Sequence, residues 1–408
     1  MKLIESINFN NIRGDITGGI TAAIVALPFA LAMGLASGAG AEAGLYGAII
    51  TGFFAAIFGG TPAQVSGPTG PMTIVMSLIV TKYLALYPDS GLALAFFTVF
   101  LAGLFQICFG LLKLGKYINL MPHAVISGFM TGIGIIIIFL QLPQILGFYE
   151  IKGSTLNIFS ELGNVGQLFS NFGAISLAIM TLIIIYLLPK RITRIVPSPL
   201  VALTFGTLIL LMLPEYFASN SEPYSQMILG DIPAGLPSFQ LPVIELSIIS
   251  EVIISALTLA ILGSIDSLLT SLVADEITRT QHDSNKELIG QGVGNALSGL
   301  FGGLPGAGAT MRTMANVKAG GYTPISGSLH AILLLIIVLG GSKFASHIPL
   351  AVLGAILVKV GTDIIDWNFL KNISKIPKVS VVMMTTVLFI TVFYNLMVAV
   401  AVGLVMAS

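Results

Sequence analysis

The longest stretch of this chain without Asp, Glu, Lys or Arg runs from residue 43 to residue 81, and it is one of many. Charge-free runs also cover 16–41, 90–112, 117–149, 162–189, 195–214, 252–265, 288–311, 319–342, 344–358 and 379–408. A helix crossing the hydrocarbon core of a bilayer needs roughly 20 apolar residues. Several runs hold one such helix and the longer ones hold two. Dividing 43–81 at Gly59-Gly60 and 379–408 near Tyr394-Asn395 gives about a dozen to fourteen spans. Barrel strands would instead alternate in polarity over about ten residues, and these continuous runs do not. The chain reads as an all-α polytopic membrane protein.

Composition excludes several function classes. Only 9% of the 408 residues are charged, against about 25% in soluble domains. Eighteen Lys and Arg cancel eighteen Asp and Glu, so no basic field is present to draw nucleic acid. A lone cysteine, Cys108, rules out an intrachain disulfide and a thiolate-built metal cluster. Residues 1–15 are polar with an apolar stripe (Leu3, Ile4, Ile7, Phe9, Ile12). They read as a short interfacial segment, because the next apolar segment is too long for a cleaved signal. Threading fourteen spans from a cytoplasmic start leaves most Lys and Arg inside, as the positive-inside rule asks. The longest connection, 215–245, holds neither residue and is assigned outside, so both termini face the cytoplasm across the plasma membrane.

Phe58-Gly59-Gly60-Thr61-Pro62 recurs as Phe301-Gly302-Gly303-Leu304-Pro305, offset by 243 residues. Each copy follows a small-residue helix and enters a Gly/Pro/Ala segment that an ordinary helix cannot accommodate. Fresh apolar helices then start near Thr69 and Thr310. An odd number of spans between the copies turns them in opposite directions, the inverted repeat in which broken helices meet near the bilayer midplane. Two hinges in tightly packed helices would look similar from the sequence.

The two half-helix starts are candidate anion sites, since first-turn N–H groups and the helix dipole favour negative charge. Thr69, Gly70 and Pro71 suit one start. Thr310 or Thr313 is expected to cap the other, with Met311 beside it and Arg312 adding a full charge. Asp266 lies in an otherwise apolar span, where a charge costs at least about 2.5–3.5 kcal/mol and marks an ion or proton path. Thr270 shares its helical face. With carbonyls from Gly308, Ala309 and Thr310, these residues compose an all-oxygen shell for a hard cation. A structural Asp266–Arg312 ion pair is the alternative, and both arrangements can coexist. The four histidines share no metal-ligand spacing. No phosphate loop, His-Glu-x-x-His or Gly-x-Ser-x-Gly occurs, so no enzyme is assembled. A channel is the harder alternative to a carrier.

These residues resemble the sulfate permease (SulP) family, and within it the sodium-dependent bicarbonate carriers. The resemblance covers nearly the whole chain. It rests on Val65-Ser66-Gly67-Pro68-Thr69-Gly70, Ile232-Pro233-Ala234-Gly235-Leu236-Pro237, Asp266-Ser267-Leu268-Leu269, Ser284-Asn285-Lys286-Glu287-Leu288 and Arg312-Thr313 with Asn316-Val317-Lys318. It implies fourteen segments in two inverted repeats of seven, with extended stretches breaking segments 3 and 10. A core domain (16–114 and 246–342) would move against a gate domain (115–214 and 343–408), and a cytoplasmic STAS domain would follow the last span. Substrate would lie between the broken segments, walled by Phe29 and Met33. Many family members carry Gln at the position of Phe29 and Glu at that of Asp266, so sulfate contacts do not transfer directly. The expectation is sodium-coupled uptake of a small anion, bicarbonate, with sodium as the co-transported ion. The alternative is a proton-coupled sulfate or oxyanion symporter or an exchanger. The implied partners are the anion, sodium and the lipid bilayer, and the assembly admits a homodimer.

Overall fold

The computed structural model describes residues 9–118, 122–148, 172–193, 196–217, 224–230, 235, 237–239, 246–393, 398–399 and 402. The proposed division near Tyr394-Asn395 lies outside them. The chain forms two compact units, one from Met1–Leu120 with Ala234–Gly340, the other from Met121–Pro233 with Gly341–Ser408.

The first unit contains α1 (Ile12–Ala36), α2 (Ala41–Phe58), α3 (Gly70–Leu86) and α4 (Gly91–Leu111). The second unit opens with α5 (His123–Leu146), α6 (Phe172–Leu187) and α7 (Ser198–Met212). The chain then returns to the first unit with α8 (Ile249–Thr278), α9 (Ser284–Leu300), α10 (Thr310–Lys318) and α11 (Pro324–Ala345), which crosses into the second unit after Gly340. It ends in the second with α12 (Leu350–Ile364) and α13 (Lys378–Phe393). Five of these helices, α1, α2, α4, α5 and α8, are long and apolar enough to cross a membrane, and shorter apolar helices accompany them.

Small residues let the helices of the first unit approach closely. Gly103 on α4 faces the backbone of Gly292 and Ala296 on α9, where a Cβ would collide with main chain. In the second unit α5 packs on α12 and α13, with Gly134 against the Gly361 backbone. Local signals set the helix ends. Asp283 caps α9 by accepting from the Asn285 and Lys286 N–H groups at 3.0 and 3.1 Å, and Gly147 closes α5 in the left-handed conformation (φ 80°).

Of the expected interfacial segment 1–15, residues 1–8 lie outside the described residues. Helix α1 begins at Ile12, and Asp15 is fully buried within the protein. Its carboxylate accepts from the Tyr322 and Thr323 N–H groups at 2.9 and 3.0 Å and from the Thr323 hydroxyl at 2.8 Å. The Asp15 carboxylate thereby caps the turn before α11 and ties the start of α1 to it.

The two Gly/Pro breaks meet in a two-stranded antiparallel ribbon, β1 (Ser66–Gly67) with β2 (Ala307–Gly308). Ser66 pairs with Gly308 and Gly67 with Ala307. Gly67 has φ 149°, and an added Cβ would lie 3.1 Å from the Ala48 Cα, so both conformation and space require glycine there. Backbone without helical hydrogen bonds needs other partners when buried, and the ribbon supplies some of them.

Candidate functional site

Both half-helices leave the ribbon with unpaired N-termini. In α3, Thr69 is the N-cap in an extended conformation with no side-chain cap, and Pro71 sits in the first turn. In α10, Ala309 is the N-cap, again without a capping side chain. The expected cap by Thr310 or Thr313 is therefore not made. The Thr313 hydroxyl accepts from the Val65 N–H at 3.0 Å, and Thr310 is engaged with Thr270 at 2.9 Å. Both hydroxyls are drawn to other elements, which leaves first-turn N–H groups with no intrahelical acceptor.

Helix α8 runs beside this junction and presents Asp266 and Thr270 from one face. The Thr270 hydroxyl donates to the Gly308 carbonyl at 2.9 Å. Its single proton is thereby used, so the Thr310 hydroxyl is the donor in their mutual bond. Ser267 on the same helix accepts from the Gly308 N–H at 3.1 Å. Asp266 is buried, at 8% exposure, and its Oδ2 has no hydrogen-bond partner. The Thr69 hydroxyl faces this carboxylate without meeting hydrogen-bond geometry.

Arg312 is also buried. Its Nη2 donates to the Pro68 carbonyl of the first break, while Nη1 has no partner. No direct Asp266–Arg312 ion pair forms, which overturns that alternative. The guanidinium is committed to backbone on the other break, and the two charges act on each other across space.

Gly70, Gly308 and Ala309 are buried at the junction. Met311 exposes half of its side chain, so its role at the junction rests on its N–H. Phe29 and Met33 are buried on α1, a helix that packs against α2, α3 and α10. A carboxylate, two hydroxyls and a carbonyl thus converge beside two helix N-termini. Oxygen donors of this kind suit a hard cation, and free N–H groups suit an anion. Among the described residues no group of three His, Cys, Asp or Glu side chains is placed to hold a metal ion.

Sequence reasoning missed the polar face of α9. Glu287, Gln291, Asn295 and Ser298 are all buried there, and they bond to the breaks rather than to one another alone. The signal was available as polar residues recurring every three or four positions around the charge-free run 288–311.

The chain matches the model of the sulfate permease family over residues 12–387. It is 50% identical to the bicarbonate transporter BicA of Synechocystis sp. over its full length, covering 71% of that protein. Its fold matches the transmembrane domain of a cyanobacterium bicarbonate transporter BicA with a TM-score of 0.89 and 51% identity, covering 97% of this chain and 99% of the other. SLC26A9 shares the fold alone, at a TM-score of 0.84 and 20% identity, covering 98% of this chain and 65% of that one. This is an all-helical, multi-pass membrane transporter and not an enzyme. The chain belongs to the sulfate permease family.

Proposed function

We propose that the protein is a sodium-coupled symporter of a small inorganic anion, bicarbonate, working by alternating access. The observation that carries this reading is the Thr270 hydroxyl bonded to both the Gly308 carbonyl and the Thr310 hydroxyl, one helical turn from the buried Asp266. Sodium is assigned to Asp266, Thr270, Gly308, Ala309 and Thr310. The anion is assigned to N–H groups at Thr69-Gly70 and Thr310-Met311, with Arg312 supplying positive charge and Phe29 and Met33 an apolar wall. Bicarbonate is favoured by relatives that are named for it at 50% and 49% identity.

In this reading the unit that contains the ribbon is the transporting core, and the other unit is its gate. Support comes from the way each unit combines one segment from each half of the chain, as two interleaved repeats would require. Both termini face the cytoplasm of the plasma membrane.

The deciding experiment is uptake of labelled bicarbonate and labelled sulfate into proteoliposomes, with and without sodium. Saturable, sodium-dependent bicarbonate uptake is expected. Uptake driven by a pH gradient in sodium-free medium would assign the same carboxylate to a proton instead. Non-saturating flux would indicate a channel.

A further inference from the structure

Helix α9 supplies no residue to the proposed ion site, yet its side chains hold both breaks in place. Glu287, Gln291, Asn295 and Ser298 stand at i, i+4, i+8 and i+11 and so share one helical face. The N-terminal half of this stripe engages the first break. Glu287 Oε2 accepts from the Gly60 and Thr61 N–H groups, both at 2.9 Å. Its Oε1 accepts from Gln64 Nε2 at 2.7 Å and Gln291 Nε2 at 2.8 Å. Gln291 Nε2 donates its second proton to Ser66 Oγ at 2.5 Å, on strand β1.

The C-terminal half engages the second break in the same manner. Gly306 donates its N–H to Asn295 Oδ1 at 2.7 Å, and Asn295 Nδ2 returns a bond to the Gly306 carbonyl at 2.9 Å. The other Nδ2 proton goes to Gln106 Oε1 on α4 at 2.7 Å. Ser298 Oγ donates to the Leu304 carbonyl at 2.8 Å. One helix face therefore grips main chain ahead of both strands, at Gly60 and Thr61 before β1 and at Gly306 one residue before β2, and holds the Ser66 hydroxyl on β1.

We infer that this stripe is a splint that sets the register of the two half-helix starts, with Asn295 and Glu287 as positioning residues for ion affinity. The inference rests on the proposed site and deepens it. The groups assigned there to the ions are largely backbone groups in segments without helical hydrogen bonds. Such groups take their positions from whatever they bond to. Gly308 itself is bonded to Thr270 and Ser267 on α8, but the approaches to both breaks take their positions from α9, through Gly60, Thr61 and Gly306. Removing the outer partners of an ion's ligands commonly lowers affinity about 10–100-fold while the ligands themselves remain.

Asn295→Asp tests this with almost no change of shape. The acceptor for the Gly306 N–H stays, but the donor to the Gly306 carbonyl and to Gln106 becomes an acceptor. Glu287→Gln likewise sets an amide donor among four N–H donors. In proteoliposomes, half-saturation constants for labelled bicarbonate and for sodium are measured for wild type and both variants, normalised to inserted protein. Both constants are expected to rise about 10-fold, with the maximal rate per inserted molecule retained. Unchanged constants with a lowered maximal rate would show a merely structural stripe and overturn the inference. If Asn295→Asp does not insert, Gln106→Met removes only the outer anchor of the Asn295 carboxamide, and unchanged constants in that variant overturn the inference equally. Wild-type uptake that ignores sodium would defeat the sodium assignment alone, because the anion constants of the variants still test the splint.

Discussion

The Thr270 hydroxyl donates to the Gly308 carbonyl across 2.9 Å and joins the helix bearing the buried carboxylate to the backbone of the second break. In the proposed reading, the backbone assigned to the anion and the side chains assigned to sodium are thus one hydrogen-bonded assembly. A change at either should be felt at the other.

Asp266→Asn should abolish sodium-dependent uptake while the protein still inserts and folds. The amide keeps the volume of the carboxyl and removes its charge. Uptake and size-exclusion behaviour of the same preparation check this. Wild-type sodium dependence in the variant would remove Asp266 from the cation site.

Main-chain donors predict an unusual ranking of substitutions at the half-helix starts. Thr69→Ala should weaken transport only in part, and Met311→Ala should be mild because that side chain is half exposed. Gly70→Pro and Met311→Pro each delete an N–H and should be far more damaging. Concentration dependence of uptake across the four variants reads this out, and equal tolerance of all four would exclude a backbone anion site.

The shared site also predicts mutual tightening. An anion added near an ionised Asp266 at ~6 Å and an effective dielectric of ~20 meets a repulsion of roughly 3 kcal/mol. Bound sodium reverses that local sign, so each ion should raise the other's affinity by the same factor, about 5–150-fold. Binding measured on purified protein across a wide sodium range tests the point. A flat anion affinity would mean independent sites.

Gly67→Ala should destabilise the ribbon. The backbone there has φ 149°, and the new Cβ would approach Arg312 Nη1 to 2.7 Å. Strain of this type costs about 1–3 kcal/mol and should lower the thermal midpoint of the purified protein. A midpoint equal to wild type would show that the ribbon yields without cost.

Asp15→Ala provides a contrast far from the ions. It leaves the Tyr322 and Thr323 donors without their acceptor, a loss of about 1–3 kcal/mol. The thermal midpoint should fall while the sodium half-saturation constant stays at the wild-type value. A shifted sodium constant would extend the ion site to the start of α1.

The sequence by itself determined that the chain is helical and membrane-spanning, where two of its helices break, and that Asp266 and Arg312 are buried charges in need of a reason. Those features are local, since apolar runs, Gly/Pro breaks and an isolated carboxylate each carry their energetic consequence within a few residues. The tertiary structure alone decided the partners. It paired Ser66 with Gly308, turned Arg312 toward Pro68 rather than Asp266, and drew Thr313 away from its expected cap to Val65. It also decided that α1 starts early enough to bury Asp15, and that Glu287 and Asn295 face the breaks. A buried polar group must be satisfied by whatever reaches it. In a chain whose two breaks lie in different halves, what reaches it is fixed by packing between distant helices, which no local pattern records.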